Sequence, residues 1–403
     1  MPDRTVQAPP STPVLLVVVS AASGVAQAFG RFSYGLLLPS LNATVLHSYA
    51  LAGLLGTLNL AAYLVGVLYV GLSANRTEPS ALIRRGLVGA TLALVVLAVA
   101  PGTVVLAVGL VVAGFFGAWI WVPAPGLSGA LVPEKHRGLG AGVAAGGIGA
   151  GIVIGSAVTT AVHAVAGDDS WRPVWAVMAG MAVLTTAAAL RWLHPAVAPR
   201  PAEPVRLSAL RLVPGWVGAT LSYGAYGLGL SLYLSYLVAA LRDAGFSAGH
   251  ASAVFLLVGV GQPFGGVVLG RMSDRLGRRA VLVGGYVVMA VSILLVVVGA
   301  EPGPVLYALL LGLVQTGLAV VLNTYLHDHL EPRAPGAAFG ALTLFFGACQ
   351  VFGPQLGGLL RAATGSFLVV FTLAAAVSAL GAVAVAKLPR SRRAAPDPPT
   401  GTP

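Results

Sequence analysis

Twelve apolar stretches, each about as long as a membrane-spanning helix, constrain the fold of this chain more than any other feature. About 20 apolar residues in a helix cross the hydrocarbon core of a bilayer. The stretches are Val14–Leu41, Ala50–Leu72, Leu82–Ala100, Thr103–Val122, Gly138–Val165, Trp171–Leu193, Leu212–Leu241, His250–Leu269, Ala280–Gly299, Val305–Tyr325, Gly336–Leu360 and Phe367–Leu388. The first stretch lacks the pattern of a cleaved signal peptide. We therefore predict an all-α integral membrane protein with twelve transmembrane helices, of which the first is retained.

The composition and the placement of charge agree with this prediction. The chain is 57% hydrophobic and 9% charged, which is unlike a soluble domain. Nineteen of the 23 Lys and Arg residues fall on the side that holds both termini, whereas Arg172, Arg242 and Arg361 fall on the other. Because positive loops stay in the cytoplasm, we predict cytoplasmic termini and a bacterial-type inner membrane. The net charge of +11 thus reflects topology and argues against nucleic-acid binding.

The two halves of the sequence share one plan. The basic segment Gly270–Arg279 has a degraded copy at Gly71–Arg76, 199 residues earlier, and a Pro-rich polar segment separates the halves. We predict an N-terminal six-helix bundle over residues 14–193 and a C-terminal bundle over 212–388. The intervening linker (194–211) and the tails (1–13 and 389–403) are predicted to be cytoplasmic. Cys349 is the only cysteine, so an intramolecular disulfide is excluded.

The segment Gly270–Arg279, which reads GRMSDRLGRR, resembles the signature G-x-x-x-D-R-x-G-R-R between helices 8 and 9 of the major facilitator superfamily. The copy departs from the signature at Asn75, where the family has Asp. A second segment, Phe29–Gly35, resembles the YbfB-like branch of that superfamily. The resemblance implies two pseudo-symmetric six-helix bundles around a central cavity and transport by alternating access.

The same segment supplies the candidate gating residues. Glycines allow close backbone approach and a tight reversal, and Asp274 can cap a helix N-terminus or pair with an arginine. The alternative is that the arginines only anchor the cytoplasmic side. The candidates are Gly270, Asp274, Arg275, Gly277, Arg278 and Arg279, with Gly71, Asn75 and Arg76 of the copy. Glycines at four-residue spacing from Gly138 to Gly155 also predict that another helix packs closely on the fifth.

Arg31 is the fixed charge that lies well within an apolar stretch, where a charge is costly and faces a cavity or a partner. Counted from Val14, it lies about 26 Å along the helix, in the outer half. Gln27, Arg31 and Tyr34 share one face of the helix. We predict that Arg31 binds a carboxylate through its two-pronged guanidinium group. The alternatives are that its side chain reaches the outer interface or bonds to backbone carbonyls.

Further polar and aromatic side chains are candidates to line the cavity. Tyrosines 223, 226, 233 and 236 form a stripe on the seventh stretch, although its outer members, Tyr223 and Tyr236, would also serve as interface anchors. The remaining substrate candidates are Tyr226, Tyr233, Asn59, Gln262, Gln315 and Asn323, which would alternatively bond neighbouring helices. No carboxylate or histidine lies near the middle of an apolar stretch, so the sequence does not identify an ion that is coupled to transport.

We therefore predict a secondary-active or facilitative transporter for a small organic anion such as a monocarboxylate. The alternative is efflux of drugs or of an amphipathic natural product. An integral membrane enzyme is disfavoured because His327 and His329, two residues apart on a helix, diverge and cannot share a metal. The expected partners are a small-molecule substrate, the lipid bilayer and a coupling proton, without cofactor or metal, in a monomer.

Overall fold

The computed structural model describes residues 11–73, 76–194, 207–298, 303–331 and 335–389. Asn75, a candidate gating residue, lies outside these residues, as do most of the predicted linker and tails. Within them, twelve helices are long and apolar enough to cross a membrane. They are α1 (Thr12–Leu46), α2 (Tyr49–Ser73), α3 (Pro79–Ala98), α4 (Thr103–Ala130), α5 (Glu134–Ala166), α6 (Trp171–Trp192), α7 (Trp216–Asp243), α8 (Ala248–Leu276), α9 (Arg278–Leu295), α10 (Gly303–His329), α11 (Pro335–Thr364) and α12 (Leu368–Ala386). These ranges contain no β-strand, and the all-α prediction is confirmed.

Two helices extend beyond their apolar stretches. α1 continues past Leu41 to Leu46 and ends before His47, whose φ is 50°. α8 continues to Leu276, so most of the segment predicted as a turn is helical, and the reversal occurs at Gly277, with φ 89°. Because a helix satisfies its own backbone hydrogen bonds, it can extend beyond its apolar stretch into the polar interface of the membrane.

The two bundles meet along three pairs of helices. α1 packs against α7, α2 against α11, and α5 against α8. Exchanging the first six helices with the last six reproduces the same set of pairs, as expected of an internal repeat. Of the twelve spans, α7 is the one most enclosed by the rest of the protein, since 83% of its 18 most apolar consecutive residues are buried.

The first span begins at Thr12 and the last span ends at Ala386. Because the number of crossings is even, these two points lie on the same side of the membrane. We call this side the basic side and the opposite one the far side. Glycines allow α5 and α8 to cross closely midway between the two sides. A methyl group added at Gly149 would lie 2.6 Å from the carbonyl oxygen of Gly259, and one at Gly259 would lie 2.8 Å from that of Gly149.

The interface between α5 and α8 opens toward the basic side. Gly142 shares a face of α5 with Gly149, seven residues away. Among the described residues, and apart from the adjoining backbone of the same helix, no atom lies within 4 Å of a β-carbon built at Gly138, at Gly142 or at Gly270 of α8. The two helices therefore diverge from their crossing toward the basic side.

Contacts between the bundles close the far side. Arg242 of α7 donates from Nη2 to Oδ2 of Asp168, in the loop after α5, at 2.9 Å. The ring of Tyr49 on α2 meets that of Phe367 edge to face, with centroids 5.1 Å apart, and the guanidinium carbon of Arg361 lies 5.4 Å from the Tyr49 centroid. These contacts hold the two bundles together on the far side, whereas α5 and α8 diverge toward the basic side.

Candidate substrate site

Arg31 lies near the middle of α1, 19 residues from Thr12 and 15 from Leu46. The helix extends further on the far side than its apolar stretch does, so Arg31 lies closer to the middle of the span than a count from Val14 implies, two residues to the far side of the midpoint. The surrounding turns, Gly24–Phe32, are π-helical, a form that is frequent at functional sites.

Neutral groups surround the Arg31 guanidinium. Its Nη1 donates to Oε1 of Gln27 at 3.1 Å, and its Nη2 donates to Oε1 of Gln350 on α11. The guanidinium carbon lies 4.8 Å from the ring centroid of Tyr63 on α2, and Gln27 donates to the Tyr63 hydroxyl at 3.3 Å. Nε of Arg31 is buried without a hydrogen-bond partner among the described residues. The Arg31 side chain is half-buried, and these contacts supply no counter-ion.

A narrow cavity lies beside Arg31 between the two bundles. Its polar lining comes from both bundles: Arg31, Tyr34 and Asn59 from the first, and Ser231, Ser235 and Gln350 from the second. A ligand in this cavity would touch both moving parts of the protein.

Two of the predicted substrate residues bond mainly to backbone. The Tyr34 hydroxyl donates to the carbonyl of Ala52 at 2.7 Å. The Asn59 amide donates to the carbonyls of Gly30 at 3.2 Å and Leu110 at 2.7 Å. Both side chains line the cavity, but their hydrogen bonds hold α1, α2 and α4 together.

A second cluster joins α7 to α10. The Tyr226 hydroxyl donates to the backbone carbonyl of Gln315 at 2.6 Å, and the Tyr233 hydroxyl donates to its Oε1 at 3.3 Å. The Tyr226 ring packs on Phe346 of α11, with centroids 5.2 Å apart. The structure therefore brings Tyr226, Tyr233 and Gln315 together within the C-terminal bundle.

The other cavity candidates are more dispersed. Nε2 of Gln262 on α8 is buried without a partner in the described part of the chain. Asn323 is half-buried on α10, eight residues beyond Gln315 toward the basic side. Tyr223 and Tyr236 are buried at 5% and 1% exposure, so the interface-anchor alternative for them is wrong.

The gating candidates form an ion-pair cluster within one bundle. Arg278 donates from Nη1 to the carboxylate of Asp274 and from Nε to Oδ2 of Asp328 on α10, the latter at 2.9 Å. Arg279 donates to the carbonyl of Leu388 at 3.2 Å. Asp274 thus pairs with an arginine, one of the two predicted arrangements, and in this state the cluster joins α8, α9 and α10 rather than the two bundles.

The remaining gating candidates make no close approach. In the described part of the chain, nothing outside the local backbone lies within 4 Å of a β-carbon position at Gly270 or at Gly71 of the first-half copy, so no close backbone approach is made at Gly270 in this state. Arg275 and Arg76 are exposed.

Tyr63 and Gln350 are the site residues that the sequence did not select. Gln350 is an isolated amide in an apolar stretch, the same signal that selected Gln262 and Gln315, so that signal was sufficient to find it. Tyr63 carries no such signal, because its role depends on the packing of α2 against α1.

A family model described as "Uncharacterised MFS-type transporter YbfB" matches residues 23–386. The chain belongs to the major facilitator superfamily. A solved structure of a D-xylose-proton symporter is similar over 94% of this chain and 99% of that chain, with a TM-score of 0.74 and 16% sequence identity. This likeness shows a shared fold of two six-helix bundles. As a member of the superfamily, the chain is a multi-pass membrane transporter of the alternating-access type.

Three curated relatives match a shorter part of the chain. The tetracycline resistance proteins of class C from Escherichia coli and class G from Vibrio anguillarum are each 31% identical, over 149 and 150 residues. Solute carrier family 22 member 18 from Mus musculus is 34% identical over 154 residues. The matches cover 34–37% of this chain and 35–37% of each relative. The chain thus aligns with about a third of the length of each relative.

Proposed function

We propose that this transporter carries a small organic anion, most simply a monocarboxylate, and that Arg31 binds its carboxylate. The observation that carries the proposal is the guanidinium group near the middle of α1 with two glutamine amides as its hydrogen-bond partners. A fixed charge near the middle of a membrane-spanning helix is costly without a counter-ion. A bound carboxylate would supply that counter-ion and accept two parallel hydrogen bonds.

Gln350 links anion binding to movement of the bundles. It lies on α11 and accepts from Arg31 on α1, so it joins the two bundles through the site itself. A carboxylate that approaches Arg31 competes with the neutral Gln350 amide for Nη2, and hydrogen bonds between charged partners are the stronger ones. Binding of the anion therefore replaces a contact between bundles with a contact to substrate.

The test is thermal stability of the detergent-purified protein with a panel of small carboxylates, amphipathic cations and neutral drugs. A ligand that binds the native state raises its stability by mass action. We expect one class of small acid to stabilise the wild type and not Arg31→Ala. Arg191→Ala, which removes an exposed charge at the basic end of α6, should respond like the wild type. Stabilisation by acids that is equal in Arg31→Ala and the wild type would contradict the proposal.

Export of an amphipathic compound is the second candidate function. Two relatives are tetracycline resistance proteins. In addition, Tyr223, Tyr226 and Phe346 form an aromatic cluster with ring centroids 5.0–5.8 Å apart. The same panel distinguishes the two functions, because this candidate predicts stabilisation by cations or neutral drugs that is indifferent to Arg31→Ala.

The hydrogen-bond partners of Arg31 among the described residues are amides, which do not titrate. They offer no acceptor for a proton released by a bound acid, so in the first of these functions the substrate binds Arg31 as the anion that arrives from solution. We also propose that the protein acts as a monomer, since one chain contains both bundles and the cavity between them.

A further inference from the structure

A long apolar groove lies on the C-terminal bundle at the basic side, away from the substrate cavity. It runs between α7 and α12 and has an empty volume of about 1530 Å³. Its lining includes Trp216 and Leu221 of α7, Leu380 and Val383 of α12, and Phe345 and Cys349 of α11. Leu221 is 55% and Leu380 65% exposed, so the groove opens outward toward the bilayer.

The basic end of this groove carries positive charge. Lys387 lines it directly. Arg279 donates to the carbonyl of Leu388, the next residue along the chain, at 3.2 Å, and Arg211 lies in the short helix Leu207–Leu212 that leads into α7. The segments 207–217 and 377–389, which border the groove, contain no Asp or Glu. Trp216 stands at the same end, where amphipathic rings mark the membrane interface.

We propose that this groove binds a phospholipid with an anionic headgroup. The acyl chain lies in the groove against α7, α11 and α12, and Lys387 contacts the phosphate. Each lysine near the surface attracts anionic lipid by about 1 kcal/mol, or about fivefold in binding. A zwitterionic lipid gains less, because its own positive group is repelled by the neighbouring arginines. This inference is independent of the transported substrate.

The test is native mass spectrometry of the full-length protein titrated with phosphatidylglycerol or with phosphatidylcholine of the same acyl chains. We expect the wild type to prefer phosphatidylglycerol and Lys387→Gln to lose about fivefold of that preference. Lys387→Arg should retain it. Arg191→Gln, which removes one charge from the same side of the other bundle, is the matched control and should also retain it.

Ala225→Phe tests the apolar part of the site, since Ala225 lines the groove and a larger ring would fill it. We expect this variant to bind both lipids more weakly, whereas Lys387→Gln weakens only the anionic one. Equal binding of the two lipids by the wild type would overturn the proposal. So would an equal loss of preference in Lys387→Gln and Arg191→Gln, because the charge effect would then be spread over the whole basic side.

Discussion

At the scale of single residues, the contact between Arg31 and Gln350 makes the sharpest prediction. Gln350→Glu places a carboxylate where the neutral amide now accepts from Arg31. The new ion pair would occupy the guanidinium and exclude the substrate anion. We expect acid binding, measured by thermal shift titration, to weaken by about tenfold or more, since hydrogen bonds to charged groups contribute about 1.5–3 kcal/mol.

Gln355→Glu is the matched control for that variant. Gln355 lies five residues further along the same helix and neither bonds to Arg31 nor lines the cavity beside it, so its substitution adds the same charge without a contact to the guanidinium. Acid binding by Gln350→Glu as tight as by the wild type would show that the Arg31 guanidinium does not hold the substrate.

Arg31 was predictable from the sequence, whereas its surroundings were not. A lone charge in an apolar stretch stands out because of its transfer cost, and its bond to Gln27 follows from their spacing on one helix. Tyr63 and Gln350 reach it from α2 and α11, which lie 32 and 319 residues away along the chain. Such contacts depend on which helices pair, and hydropathy carries no information about that pairing.

At the scale of helices, the crossing of α5 and α8 gives a matched pair of glycine variants. Gly149→Ala would place a methyl group 2.6 Å from the carbonyl oxygen of Gly259, so the two helices must separate. We expect it to lower the thermal unfolding temperature, at a cost of about 1–3 kcal/mol.

Gly142→Ala is the control on the same face of α5, since its methyl group would meet no described residue within 4 Å beyond the backbone of its own helix. It should leave the unfolding temperature unchanged or slightly higher, because alanine is the better helix former. If the two variants unfolded at the same temperature, α5 and α8 would not cross closely at Gly149.

The ion-pair cluster of α8, α9 and α10 predicts a defect in transport rather than in binding. Asp274→Ala removes one of the two carboxylates that hold Arg278. We expect slower transport in proteoliposomes with unchanged expression and unchanged ligand affinity, because the cluster lies at the basic end of the helices and apart from Arg31. If Asp274→Ala transported with wild-type kinetics, the arginines of this segment would serve only to anchor the basic side of the protein.

The helices themselves were largely predictable, because each must carry about 20 apolar residues. Their ends were not. The far end of α1 contains the polar residues Asn42 and Thr44, for which the sequence predicts a loop, yet the helix continues to Leu46. The π-helical turns at Gly24–Phe32 were also missed, since their sequence has no pattern that separates them from an α-helix.

At the scale of the whole molecule, the excess of positive charge on one side predicts the orientation in the membrane. A fluorescent protein that folds only in the cytoplasm, fused after Pro403, should fluoresce. The same reporter inserted in the loop at Asp168, on the far side, should stay dark. The reverse pattern would place the basic side outside and invert the direction of opening.

The central claim is that Arg31 lies in the transport path of an organic anion. Its most direct test is uptake in proteoliposomes of the acid that stabilises the purified protein, comparing the wild type, Arg31→Lys, Arg31→Ala and Arg191→Ala. The account predicts saturable uptake by the wild type and Arg191→Ala, and a loss of about tenfold or more in Arg31→Lys, which keeps the charge but not the two-pronged geometry. Undiminished uptake by Arg31→Lys would contradict two-pronged recognition, and uptake by Arg31→Ala equal to the wild type would remove Arg31 from the path.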